Sequence, residues 1–247
     1  MPLDHAIQCV HDPLLVILSY VVSVLGSFTA LQLAIAIPGA TGAARWRAIT
    51  AAGIAMGGGA IWAMHFIAML ACRMNVEVNY DLSVTLGSAV IAVVSCMAGL
   101  AIAGTGIFNW GKLIVGGVLM GLGVTGMHYA GMAAMLMPAD TVYNNSLLVA
   151  SAAIAIVASI VALWLAFNLR GWGQMLGSAL VMGVAVCGMH YTGMLAATFI
   201  PDKSAAAAGG VSGGYLGIGI FVVTTALLAA VLTISLLRQR QRAMVRI

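Results

Sequence analysis

Apolar and polar positions along this chain fall into long blocks rather than alternating residue by residue. Seven apolar runs stand out, at 14–37, 48–71, 82–104, 112–137, 147–168, 174–199 and 215–237. An apolar stretch of about 18 residues or more can cross a bilayer as an α-helix, so each run predicts a transmembrane helix. The gaps collect Gly, Ser and Pro, as in PGATG (38–42), PADT (138–141) and AAGGVSGG (207–214), residues that punctuate helices. No gap is long enough for a soluble domain. The expectation is an all-α integral membrane protein, a single bundle over residues 1–247 with no soluble output domain.

Composition agrees. The chain is 63% hydrophobic and only 6% charged, too few polar groups to cover the surface of a soluble domain. The charges that remain orient the bundle. With the N-terminus outside, Arg45, Arg47, Lys112, Arg170, Arg238, Arg240, Arg242 and Arg246 fall on the cytoplasmic side, and only Arg73 and Lys203 fall outside. That is a positive-inside bias. The acidic residues Asp4, Asp12, Glu77, Asp81, Asp140 and Asp202 also fall outside. The expected topology is therefore N-terminus outside and C-terminus cytoplasmic. The segment before the first run has no Lys or Arg, so it lacks the positive region of a signal peptide and reads as a retained helix. The basic tail RQRQRAMVR (238–246) reads as an anchor against anionic lipid, with no nucleic-acid role.

Inside the apolar runs one phrase recurs. AMHFIAM (63–69), GMHYAGM (126–132) and GMHYTGM (188–194) align without gaps. Met64, Met127 and Met189 precede the histidines His65, His128 and His190. Phe66, Tyr129 and Tyr191 follow them directly, and Met69, Met132 and Met194 stand four residues after. Self-similarity at a fixed period marks a structural repeat. Grouped as helices 2–3, 4–5 and 6–7, with helix 1 left over, the three copies are expected to run parallel about an axis along the membrane normal. That arrangement would bring three imidazoles to one depth in the outer half of the bilayer. Small residues at four-residue spacing, Gly53/Gly57, Gly117/Gly121 and Gly173/Gly177, would let helices approach closely.

Ionisable side chains inside a membrane are costly and by default mark a functional site. The bland alternative is a neutral histidine bonded to a neighbouring helix, duplicated along with its repeat. Imidazole suits copper, zinc, iron or nickel, whereas thioether sulfur selects Cu(I). His65, His128 and His190 with Met64, Met69, Met127, Met132, Met189 and Met194 therefore form a candidate copper site. Tyr129 and Tyr191 are candidates to orient the imidazoles, although Phe66 lacks the hydroxyl. His11, Asp12 and Asp81 stand at the expected outer face as possible extra ligands or cation-recruiting groups. Cys187, three residues before His190, is another possible ligand. Cys9 and Cys72 share the outer side and could pair in an oxidising periplasm.

These residues carry a resemblance. MHFI (64–67), MHYA (127–130) and MHYT (189–192), with HDPLLVILSYVVSVLGSFTALQLA (11–34) and VNYD (78–81), resemble the bacterial MHYT-domain proteins over roughly residues 11 to 237. The resemblance implies a multi-pass sensor in the bacterial cytoplasmic membrane. It also implies that Met, His and Tyr of the motif bind copper near the outer face, to detect oxygen, carbon monoxide or nitric oxide. Family members often carry cytoplasmic output domains. This sequence stops shortly after the seventh run, so a separate cytoplasmic or membrane signalling partner is expected. Three other functions stay open at this point: an intramembrane zinc hydrolase with three His ligands, a haem protein using two of them, and a copper transporter.

Overall fold

Polar side chains start four of the helices by accepting hydrogen bonds from amides that have no partner in the first turn. Asp12 takes the amides of Leu14 and Leu15, Pro13 sits at the first helical position, and α1 runs Pro13–Ala34. Asp81 takes the amide of Val84 at the start of α3, Leu82–Ala103. Asn109 caps α4, Trp110–Ala133, and Asn144 takes the amides of Ser146 and Leu147 at the start of α5, Asn145–Asn168. The remaining helices are α2, Gly42–Ala71, α6, Trp172–Ala196, and α7, Gly213–Met244. This is a computed structural model, and it describes residues 7–168, 171–202 and 209–244. Asp4, Arg170, Lys203 and Arg246 lie outside the described residues. Among the described residues seven helices are long and apolar enough to cross a membrane, and the protein is a multi-pass membrane protein.

Several helix ends differ from those of the apolar runs. α4 and α6 stop at Ala133 and Ala196, and the residues that follow enter short strands: β4, Met135–Leu136, and β6, Ala197–Pro201. Pro138 and Pro201 explain this, because in a continued helix each proline ring would clash with the carbonyl four residues before it, that of Ala134 or Ala197. Once extended, these segments find strand partners. α2 begins earlier than its apolar run, and α7 continues through the charged RQRQRAM segment. Arg and Gln are good helix formers that a hydropathy reading discards.

Within α2 the stretch Ile54–Trp62 is a π-helix, wound wider than the α-helix on either side. Such segments are rare and gather at functional sites; this one ends three residues before His65.

Six helices close a ring. α1 packs on α2 and α6, and each of α2 to α6 packs on its neighbour in sequence, while α7 lies outside against α1 and α2. Small residues set the tightest crossings. A Cβ on Gly117 or Gly121 would come within 3 Å of the α5 backbone at Ile160 and Ile156. By contrast Gly173 and Gly177 face open space, so that pair brings no helix close.

At one end of the ring, three strand joints link neighbouring helices. β1 (Val10–His11) pairs antiparallel with β2 (Cys72–Arg73), β3 (Asn79–Tyr80) with β4, and β5 (Ala139–Tyr143) with β6. β7 (Val211–Ser212) adds to β3. Each joint repeats one hydrogen bond at 2.8 Å: the amide of Asp12, Asp81 or Asn144 donates to the carbonyl of Ala71, Ala134 or Ala196. Those alanines stand six residues after His65, His128 and His190. The hydrogen-bonded unit thus joins each His helix to the helix before it, one helix out of step with the unit of sequence repetition. Cys9 and Cys72 form a disulfide beside the first joint, with their Cα atoms 5.2 Å apart.

Candidate metal centre

His65, His128 and His190 come from α2, α4 and α6, about 9 Å along the helix axis from the joints. They are buried, with exposures of 1%, 0% and 0%. Their rings meet edge to face, with centroids 4.9, 5.0 and 5.2 Å apart. The Nδ1 atom of His65 lies 3.0 Å from Nδ1 of His190 and 3.1 Å from Nδ1 of His128. Three nitrogen donors about 2.0 Å from a single tetrahedral ion would stand roughly 3.3 Å apart. The two spacings from His65 are within a few tenths of an ångström of that, and all three ligand atoms lie within 4.8 Å of one another, so the triad is a group that could hold one metal ion. The three Nε2 atoms are buried without partners, and an unpaired buried donor costs about 1–3 kcal/mol.

Two glycines make the convergence possible. A Cβ on Gly131 would lie 2.3 Å from Nε2 of His65, and one on Gly193 would lie 2.2 Å from Nε2 of His128. Each imidazole therefore lies over the bare backbone of the next His helix, three residues past that helix's own histidine. The first copy carries Ala68 at the matching position.

Around the triad the aromatics form three spokes. Phe66, Tyr129 and Tyr191 each meet their own histidine edge-on, at 4.9, 4.8 and 5.0 Å. Each then contacts the residue just before a helix cap: Phe66 meets Tyr80 at 5.9 Å, Tyr129 meets Tyr143 at 5.3 Å, and Tyr191 meets His11 at 5.4 Å. The Tyr129 hydroxyl is engaged with Ser151 at 2.8 Å. The Tyr191 hydroxyl is buried near Ser19 without completing a hydrogen bond. Burial at the second joint raises the Tyr80 hydroxyl above its usual pKa and keeps it neutral.

The other acidic, histidine and cysteine residues singled out in the sequence do not join the ligand group of the triad. Among the described residues the group that could hold an ion contains the three histidines alone. Asp12 caps α1 and pairs with Arg73, and Asp81 caps α3. His11 lies beside Cys9, ring nitrogen to Sγ 3.6 Å. Cys187 is a free, half-buried thiol. The methionines are buried but divided. Met127 and Met189 belong to the main core, Met69 packs with Phe66 and Tyr80, and Met132 and Met194 pack with Cys72, Met137 and Phe199 near the joints. Met64 is buried as well. Tyr80, Tyr143, Gly131 and Gly193 were not singled out by the sequence reading. The signal for the tyrosines was present: HD (11–12), YD (80–81) and YN (143–144) all put a ring before a helix cap.

Known proteins match this pattern. A family model described as MHYT, bacterial signalling protein N terminal repeat, matches residues 58–116, 121–179 and 183–246. The chain belongs to the MHYT family. It is 41% identical over 239 residues to the bifunctional diguanylate cyclase/cyclic di-GMP phosphodiesterase MucR of Pseudomonas aeruginosa, covering 94% of this chain and 35% of that protein. It is 35% identical over 197 residues to the cyclic di-GMP phosphodiesterase NbdA of the same organism, covering 76% of this chain and 25% of the relative. The signaling protein YkoW of Bacillus subtilis is 32% identical over 205 residues, 80% of this chain and 25% of the relative. The chain thus spans about a third or less of these MHYT relatives. No solved structure matches it.

Proposed function

We propose that the chain is a sensory module of the bacterial cytoplasmic membrane, with a single copper site at His65, His128 and His190 in the outer half of the bilayer. The ligand sensed is a diatomic gas or the redox state of the surroundings. The carrying observation is the convergence of three buried imidazole nitrogens from three repeats. The positive-inside distribution of Lys and Arg supports an N-terminus outside and a cytoplasmic C-terminus. In that orientation the strand joints face outward.

The choice of copper rests on charge as well as softness. No carboxylate belongs to the triad group among the described residues, so an ion there keeps its full charge in a low-dielectric site. The cost of burying an ion grows with the square of its charge, so Cu(I) costs about a quarter as much as a divalent ion of equal size. The same lack of a carboxylate weakens the zinc hydrolase, since Asp12 and Asp81 are committed to helix caps. Met64, Met69, Met127, Met132, Met189 and Met194 remain candidate soft ligands.

A copper ion held by three nitrogens would offer an open position to a small ligand. The protein's own contribution is placement. The spokes of Phe66, Tyr129 and Tyr191 fix the imidazole planes, and Gly131 and Gly193 leave room for them. A change in imidazole spacing would bear on α2, α4 and α6 together and shift their packing, provided the ligand prefers one of two packings. The relatives named as cyclic di-GMP enzymes suggest a cytoplasmic partner activity of that class, within a longer chain or supplied by a second protein.

Elemental analysis of detergent-purified protein reconstituted with Cu(I) tests this, beside single His65→Ala, His128→Ala and His190→Ala variants. A shared site predicts about one copper per chain and loss of most of it in each variant. Loss of only a third per variant would mean separate sites. Zinc in place of copper would bring the hydrolase forward.

A further inference from the structure

An apolar cavity of about 450 Å³ lies inside the ring on the inward side of the triad, between α2, α4, α5 and α6. Ile61, Val124 and Val186 line it. Each stands four residues before a histidine: Ile61 before His65, Val124 before His128, Val186 before His190. Residues four apart on a helix share a face one turn apart, so the roof of the cavity is the floor of the triad. Met189, adjacent to His190, lines it too. Ser159 is the lone polar side chain of the lining.

The cavity has a mouth between α5 and α6. Val157, Val161 and Val181 line it and are 61%, 41% and 59% exposed on the outside of the ring. Val157 lies mid-way along α5, so this surface meets hydrocarbon rather than water. On its other side the triad is covered by the aromatic spokes, the strand joints and the Cys9–Cys72 disulfide. The ready way in is from the lipid.

We infer that the cavity is a lateral portal through which a small, uncharged, apolar molecule dissolved in the bilayer reaches the three histidines. This rests on the reading of the triad as the ligand-binding centre, and it defines the ligand class more narrowly. An ion, a peptide or a hydrated substrate finds only the Ser159 hydroxyl along this path, so crossing it would strip hydration with almost nothing in return. An apolar diatomic gas is already concentrated in hydrocarbon and loses nothing on entry. The volume is ample, because apolar cavities of about 150 Å³ stay dry and take up xenon or benzene.

Xenon is the direct probe, since it needs no metal. Metal-free protein in lipid nanodiscs is titrated with xenon and followed by 129Xe NMR, beside Ala185→Phe on α6 and Ala158→Phe on α5. Both alanines line the cavity, and two variants on different helices guard against a folding failure in one. Saturable xenon binding in the native protein and its loss in both variants is the expected result. In Cu(I)-loaded protein the same variants should keep their copper while carbon monoxide association slows at least tenfold. Absence of saturable xenon uptake, including through occupation of the crevice by an acyl chain, would overturn the portal. So would an unchanged carbon monoxide rate in plugged variants that have lost xenon. Xenon binding in a protein that takes up no copper on reconstitution with Cu(I) would uphold the cavity and sink the proposed copper site instead.

Discussion

Adding one methyl group at Gly131 should abolish the metal binding proposed for the triad, and adding one at Gly126 should not. Both glycines lie on α4 within three residues of His128. The Gly131→Ala Cβ would come 2.3 Å from Nε2 of His65, whereas a Cβ on Gly126 meets nothing within 4 Å. Non-bonded carbon and nitrogen need about 3.4 Å, so the imidazole must retreat by roughly 1 Å. Ligand distances at a metal tolerate only about 0.2 Å, and Nδ1 of His65 is the atom closest to both partners. Metal affinity should fall by about 100-fold or more, with about 1–3 kcal/mol lost from overpacking. Gly126→Ala should be neutral or slightly stabilising, since alanine is the better helix former. The same contrast holds on α6, where Gly193→Ala would press on His128 at 2.2 Å and Gly188→Ala meets nothing. The assay is competition for Cu(I) against a chromogenic chelator, with thermal unfolding alongside. Equal affinities for the Gly126 and Gly131 variants would refute the packing of imidazole on bare backbone.

Two further substitutions separate roles that look alike in sequence. Tyr129→Phe should cost about 1 kcal/mol in thermal unfolding, because it breaks the bond to Ser151; Tyr191→Phe should cost almost nothing, since its hydroxyl completes no bond. An equal loss in both would mean that the Tyr191 hydroxyl is engaged. Asp12→Asn tests the first joint by pH. Burial raises the Asp12 pKa, but the amides of Leu14 and Leu15 and the Arg73 guanidinium outweigh it and hold it below the usual 3.8. A lowered folded pKa means the contribution is present above that value and lost as pH falls through the folded pKa. The variant should therefore differ from the native protein at neutral pH and converge with it in acid; a difference that persists in acid would place the effect elsewhere.

Much of this protein was legible in one dimension because a bilayer imposes a one-dimensional rule. Each crossing must satisfy its backbone internally over a fixed thickness, so seven apolar runs sufficed to predict seven helices. The three-fold MH phrase likewise exposed the histidines, since a copied motif keeps its spacing. Helix ends were less legible. Met135–Leu136 and Ala197–Pro201 continue or border the apolar runs, yet they form strands because proline lies close by and a partner strand lies beside them. Whether three histidines on three helices would touch depended on the ring closing between α1 and α6, a contact between residues far apart in sequence.

Tertiary structure alone decided the rest. Gly131 and Gly193 stand inside the repeated phrase, but nothing local says that each receives an imidazole from another helix. Tyr80 and Tyr143 lie in the gaps between helices, whereas the rings they touch, Phe66 and Tyr129, lie on α2 and α4, and only the tertiary structure brings them together. The cavity belongs to no segment at all, since its walls come from four helices and its roof from the residue four before each histidine. Hydropathy told which residues avoid water. Packing decided which of them face the triad, which face lipid, and where a space was left between.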